Sequence, residues 1–385
     1  MGKILILGGG FAAVTAAEKL GRLVGDRHEI TLISQNPRFL FYPALVPFVF
    51  GDFRLEEIEF DLESALRPFN IRFVEGRVTG IGTVSKTVVV AAGGATESLH
   101  YDHMLFCVGR RLAMGAVPGS AEHSHHLLNL NEALRLRSSI DNFEKGSIVV
   151  ALAPESSLPV PVCELSLGLA KRFRKQIADG TVSVTTVFPS TVDSAFAGST
   201  LFRDIEREFD SKGIRLVSEF PIERVDAKSV FTADGRALNH DLLILFPPFK
   251  GQRSLLHLAP FSDEAGFVKV NSRMQVDGCD GIYAAGDAIT LPGPRFGYMA
   301  IRQGRVAAAN LISELNGDLP SEEYRHDIAW AIGEKYTDPV YFHYGFWDNT
   351  LADFDEGVFF GLAKRLRERY GLIKDEPEQQ IFSGQ

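Results

Sequence analysis

Cysteine is scarce: Cys107, Cys163 and Cys279 are the only three in 385 residues. So few, and so widely scattered, they build neither a disulfide framework nor a zinc site, and the expectation is a reduced, cytoplasmic protein. Long apolar runs are missing too. None approaches the roughly 20 residues that span a bilayer, and the N-terminus lacks the basic segment and cleavage site of a secretory signal. Positive charge is outweighed, with 40 Lys and Arg against 49 Asp and Glu. A net charge of −9 argues against nucleic acid as a partner. What remains is globular in composition, 45% hydrophobic and 23% charged, and long enough for two or three domains. Phenylalanine stands out, at 29 residues.

The chain is organised around Lys3 to Leu20, KILILGGGFAAVTAAEKL. Ile4 to Leu7 form the continuous apolar run of a strand buried on both faces of a parallel sheet. Three glycines follow, then a helix rich in small residues. Strand, glycine turn and helix together make a dinucleotide pyrophosphate site. Gly8 makes the tight turn, Gly10 lets phosphates approach the backbone, and Ala13 lets the helix pack close to the strand. The helix N-terminus adds free N–H groups and positive dipole.

His28 to Ser34 reads as the second parallel strand. The acidic residue that usually meets ribose hydroxyls at its end is absent, and Ser34 and Asn36 are the available substitutes; this disfavours NAD in this half and suits FAD. Pro37 to Phe53 is rich in Pro and Phe without periodicity, either a core loop or one packed on a large ligand. Asn70 to Val74 and Thr87 to Ala91 read as strands of a small antiparallel insertion. Tyr101 to Gly109 is another buried strand. The run EHSHHLL, with His123, His125 and His126, reads as a solvated loop, since no Cys or Asp nearby completes a metal site.

A second strand–helix–strand unit follows: strand Ser147 to Ala153, helix Cys163 to Lys175, strand Thr181 to Phe188. No glycine stands between Ala151 and Glu164, so the backbone there cannot approach a pyrophosphate. This half reads as a dinucleotide fold without its dinucleotide. From Asp241 the pattern returns to the first domain, with strands at Asp241 to Phe249 and Gly281 to Asp287. The Gly286-Asp287 pair puts a carboxylate at the C-terminal edge of the sheet, either as a helix N-cap or as a partner for ribityl or ribose hydroxyls. A helix from Tyr298 to Leu315 follows. In the C-terminal region Val358, Leu362, Leu366 and Tyr370 form a stripe with Lys364, Arg365, Arg367 and Arg369 around it. That stripe suits a membrane surface, the protein's own core, or a partner subunit, as in a homodimer.

These residues together resemble the two-dinucleotide-domain flavoproteins, in particular the sulfide:quinone oxidoreductases and flavocytochrome c sulfide dehydrogenases, with type II NADH dehydrogenases as relatives. The resemblance rests on GGGFAA from Gly8, HEITLISQN, the strand ending Cys107-Val108-Gly109, Glu164 in PVPVCE, AAGD, and the tripeptide Gly297-Tyr298-Met299. It implies an α/β fold with two Rossmann-like domains, an FAD domain (1–112 and 242–318) around a degenerate NAD(P)-binding-like domain (113–241), then a C-terminal quinone, membrane or partner region (319–385). It implies FAD contacts at Gly8, Gly10, Phe11, Ala12, Ala13, Ser34, Asn36, Pro43, Val78, Cys107, Val108, Gly109, Arg110, Gly286, Asp287, Gly297, Tyr298 and Met299. Glu164 becomes a candidate proton carrier near the flavin, with a helix N-terminal carboxylate as the plainer alternative.

The resemblance also implies two redox cysteines, but Leu158 and the stretch Ile328 to Trp330 stand at their positions, and Leu128 at that of a third. Cys163 is the one thiol expected near the flavin, either as a sulfur nucleophile or as a buried hydrophobe. The expectation is an FAD-dependent oxidoreductase passing electrons from a non-nicotinamide donor to a quinone or a redox partner protein. It would be cytoplasmic or peripheral on the inner face of the cell membrane. An NADH:quinone oxidoreductase and a non-turnover flavin scaffold or redox sensor are the rivals.

Overall fold

The computed structural model describes residues 2–196, 202–252, 261–332 and 340–345. Strand β1 (Lys3–Leu7) is buried beyond Lys3. Helix α1 (Phe11–Val24) returns with Ala12, Ala13, Ala16, Ala17 and Leu20 on its buried side. Strand β2 (Glu29–Ser34) lies parallel to β1. The Pro/Phe stretch is not all loop: it contains the short helix α2 (Leu45–Val49), buried through Leu45, Val46, Phe48 and Val49. Strand β3 (Ile71–Glu75) pairs parallel with β2. It is therefore the edge of the main sheet, whereas Asn70 to Val74 was expected in an antiparallel insertion. That insertion consists of β4 (Arg77–Gly82), β5 (Thr87–Ala92) and β6 (Ala95–His100), an antiparallel meander. Strand β7 (His103–Phe106) pairs with β1 on its free side, and the two-residue strand β8 (Arg111–Leu112) follows.

The second unit opens with helix α3 (Leu130–Asp141) and strand β9 (Gly146–Leu152). Helix α4 (Pro159–Arg172) begins four residues before the expected Cys163, because proline is well placed in a first helical turn. Strands β10 (Val182–Val187), β11 (Ile214–Val217) and β12 (Leu242–Phe246) complete a parallel sheet in the order β11-β10-β9-β12. This corrects the expected return to the first domain at 242: Leu242 to Phe246 pairs with β9 and closes the second sheet. His125 extends that sheet through a parallel bridge to Ile244, and His126 is 7% exposed. His125 and His126 thus lie at a packed edge, not in the solvated loop expected of the run, while His123 stays exposed. Among the described residues no cluster of side chains could hold a metal ion.

Strand β13 (Phe249–Lys250) pairs antiparallel with β8, lacing the two units together. Strand β14 (Ile282–Ala284) then rejoins the first sheet beside β7, giving the order β14-β7-β1-β2-β3. Helix α5 (Gly297–Leu315) lies against α1 so closely that a Cβ on Gly304 would sit 2.5 Å from the Ala12 carbonyl oxygen. Strands β15 (Asp327–Ile332) and β16 (Val340–Gly345) form an antiparallel pair. The amphipathic stripe Val358 to Tyr370 lies outside the described residues. Among those described, no helix is long and apolar enough to cross a membrane.

Candidate functional site

The three glycines after β1 have three different surroundings. Gly8 has φ +113°, and a Cβ there would lie 2.1 Å from the Cys107 carbonyl oxygen, so the turn rests directly on the end of β7. A Cβ on Gly9 would meet Leu62 Cδ1 and Ser34 Oγ, both at 2.7 Å. Gly10 meets nothing within 4 Å. It is the N-cap of α1, and no side chain caps the helix there. The first-turn N–H groups of α1 therefore open onto free space at the positive end of the helix dipole, an arrangement that fits a pyrophosphate. Ala12 and Ala13 are buried below. Phe11 forms edge contacts with Phe39 at 5.0 Å and Phe41 at 5.7 Å, and a Cβ on Gly297 would touch its ring at 3.1 Å. Gly297 thus joins the N-terminus of α5 to the same aromatic wall, and Phe296 stacks on Tyr298 at 5.8 Å beside it.

The opposite lip comes from β7 and β14. Gly109 (φ +69°) and Gly286 (φ +74°) both take the left-handed backbone that glycine accepts without strain. The Gly286 N–H donates to buried Gln303 Oε1 at 2.8 Å, which fixes the turn. Asp287 and Arg110 then meet in an ion pair. Arg295 donates to the carbonyls of Asp287 at 3.3 Å and Ile289 at 2.9 Å, and lies 4.1 Å from the Phe267 ring centre. Burial pushes the Arg295 guanidinium below its ordinary value, against the pull of Asp287. Cys107 and Met299 are buried, and Val108 is packed against the core.

The expected ribose substitutes are already engaged. Ser34 Oγ donates to the Asn36 carbonyl at 2.8 Å and accepts from the Asn36 N–H at 3.2 Å, a local turn that occupies the hydroxyl. Asn36 Oδ1 accepts from the Arg38 N–H at 3.0 Å, and the residue is exposed. Val78 turns its side chain into the core, so only its backbone can face a ligand. Pro43 is exposed beside Tyr42.

The matching turn of the second unit has a different interior. Glu155 holds φ +62° without being glycine. Leu158, Val160, Val162 and Cys163 are buried at the start of α4, where the first unit is open. Cys163 is completely buried, and burial pushes its thiol well above the ordinary range, with the Glu164 charge adding to it. A protonated, inaccessible thiol suits the packing alternative for Cys163 better than that of a sulfur nucleophile. Glu164 is half-buried, and burial pushes its carboxyl up to about 8. One turn on, a Cβ on Gly168 would lie 2.2 Å from the Phe50 ring. Residues four apart share a helix face, so Glu164 lies on the face of α4 turned toward the Pro/Phe segment of the first unit.

The sequence singled out the glycine turn, Asp287 and Glu164; the structure sets Asp287 on the turn after β14 and Glu164 on the first turns of α4. Sequence reasoning missed Arg295, the role of Gln303, and the Arg110 to Asp287 pairing across 177 residues, for which no local pattern exists.

Residues 2–150 match the family model of the pyridine nucleotide-disulphide oxidoreductases. Sulfide-quinone reductase of Aquifex aeolicus is 23% identical over 339 residues, covering 82% of this chain and 77% of that protein. Demethylphylloquinone reductase NdbB of Synechocystis is 24% identical over 347 residues, covering 87% and 80%. The crystal structure of the Aquifex aeolicus sulfide:quinone oxidoreductase superposes with a TM-score of 0.85 at 20% identity, over 96% of this chain and 92% of that one. NDH2 of Plasmodium falciparum, solved with NADH, gives 0.72 at 13% identity, over 96% of each. The chain therefore resembles the pyridine nucleotide-disulphide oxidoreductases in sequence over residues 2–150 and shares the α/β fold of sulfide:quinone oxidoreductase over nearly its whole length.

Proposed function

We propose that the protein is an FAD-dependent oxidoreductase that takes electrons from a donor other than NAD(P)H and passes them to a quinone or a redox partner protein. The observation that carries this reading is the open turn at Gly10, with Gly286 packed so that an added Cβ would lie 3.1 Å from Ala12 of the same helix, set against a filled turn at Leu158. Bound FAD would supply reversible two-electron transfer, which no side chain here can perform. The α1 N-terminus would hold its pyrophosphate and Asp287 its ribityl hydroxyls, while the wall of Phe11, Phe39 and Phe41 keeps water away. Glu164 carries a proton at neutral pH, because its carboxyl titrates at about 8. Quinone reduction needs protons where water is excluded, and such an acid supplies them. The names of the quinone-reducing relatives support the acceptor.

With Leu158 at the position of one family cysteine and Cys163 sealed in the core, a sulfur donor would not be handled through a disulfide here. An anaerobic titration of the FAD-loaded protein with NADH, NADPH and sulfide, followed by a soluble quinone, tests the reading. The expected result is no rapid reduction by micromolar nicotinamide and reoxidation of the dithionite-reduced protein by quinone. Fast, saturable reduction by NADH would overturn the choice of donor; protein that takes up no FAD would overturn the whole.

A further inference from the structure

Arg110 and Asp287 leave neighbouring strands of the first sheet, each directly after a left-handed glycine. Arg110 Nη1 donates to Asp287 Oδ2, and the guanidinium lies 3.6 Å from the centre of the Phe249 ring. Phe249 is held opposite Leu112 by the β8–β13 ladder. Arg110 is thus gripped from two sides, with its side chain 16% exposed against 29% for Asp287. The charges around the pair alternate. Arg295 is committed to two backbone carbonyls, and Asp263, which also faces Arg295, accepts from the Phe267 N–H and the Thr290 hydroxyl. The Tyr42 phenol faces both Arg110 and Asp287 from the first unit. Among the described residues, Arg110 is the one cation bonded to the Asp287 carboxylate, and Oδ1 of that carboxylate accepts no bond.

We propose that Arg110 is a positioning residue for the cofactor: it pins Asp287 by Oδ2 and so presents Oδ1 to a ribityl hydroxyl of FAD. The inference rests on the FAD reading above. An aspartate free to sample its rotamers loses that freedom on binding, and the loss is subtracted from affinity. A guanidinium stacked on Phe249 removes the loss in advance. Lysine keeps the charge but not the planar stack.

The test is a double-mutant cycle on the full chain, reading FAD affinity of the apoprotein by flavin fluorescence quenching. Arg110→Gln is expected to weaken binding about tenfold and Asp287→Asn at least as much, a hydrogen bond to a charged group being involved. In the double variant the two losses should not add, leaving affinity within about twofold of Asp287→Asn alone. Arg110→Lys, which keeps the charge without the stack, should bind more tightly than Arg110→Gln and more weakly than the unmodified protein. Additive losses, or an unchanged affinity in Arg110→Gln, would overturn the proposal while the FAD reading stands. Should Arg110→Gln fail to fold by circular dichroism, the same cycle run with Arg110→Met, which keeps the apolar stem over Phe249 but no charge or donor, decides by the same non-additivity. Unmodified protein that takes up no FAD would defeat both, and that result precedes any variant.

Discussion

The chain contains the same strand–turn–helix device twice, and the two copies have diverged at the turn. In the first, Gly8 to Gly10 hold the backbone low and leave the N-terminus of α1 uncapped and open. In the second, Glu155 keeps a left-handed backbone, but Leu158, Val160 and Val162 close over the start of α4. Both copies build comparable parallel sheets, so such a unit can be made with or without a glycine turn. Gly8 is fixed by its contact with the end of β7, whereas Gly10 decides what can approach the helix end. A βαβ unit can thus keep its architecture while the start of its helix is closed by apolar side chains.

The comparison breaks most completely at Gly10. Gly10→Glu places a carboxylate where a pyrophosphate would sit, and FAD uptake, read as flavin absorbance of purified protein, should be abolished. Glu164→Gln sharpens the second half: FAD stays bound, and stopped-flow reoxidation by quinone should slow by about 100- to 10,000-fold, the range of a general acid–base residue. In the unmodified protein that rate should decline as pH rises through about 8, where Glu164 gives up its proton. The same group sets a stability trend. Its folded-state affinity for protons exceeds that of the unfolded chain, so its own contribution to stability is greatest at low pH and is lost as pH rises from about 4.5 through about 8. Melting curves across that window should be flatter in Glu164→Gln.

Smaller effects follow at Cys163 and Glu155. Cys163→Ala should cost about 1–2 kcal/mol in denaturant unfolding and leave flavin reduction and reoxidation unchanged. Loss of sulfide-dependent reduction in that variant would return Cys163 to the chemistry. Glu155→Gly relieves a left-handed backbone and should stabilise by at most about 1 kcal/mol. It should confer no NADH binding by calorimetry, because the apolar side chains at the start of α4 remain.

How much of this was legible depended on range. The β1–α1 turn was readable because strand, glycines and small helix residues lie within twenty positions and each has a local reason. The missing glycine before Glu164 was readable as plainly. Leu242 to Phe246 was not assignable, since an apolar run fits either parallel sheet and only its pairing with β9 decides. Asn70 to Val74 was set in the antiparallel insertion because a short mixed strand reads alike in either place, and only its parallel pairing with β2 decides. His126 looked exposed because polar residues in a run suggest a loop, yet pairing of the segment at the edge of β12 draws it inside.

Strand β14 joins the first sheet only after the whole second unit has been traversed, and it delivers Asp287 to a partner 177 residues earlier. During synthesis, the Gly8 to Gly10 turn leaves the ribosome long before the carboxylate that completes its site. The nascent first sheet must wait with β7 as an unpaired edge, a position that invites association with other chains. Closure over so long a loop is slow by the dependence of folding rate on contact separation. FAD that binds the assembled site would draw this late step toward completion by mass action. Yield of folded protein should therefore depend on flavin supply during expression as well as on the final contacts.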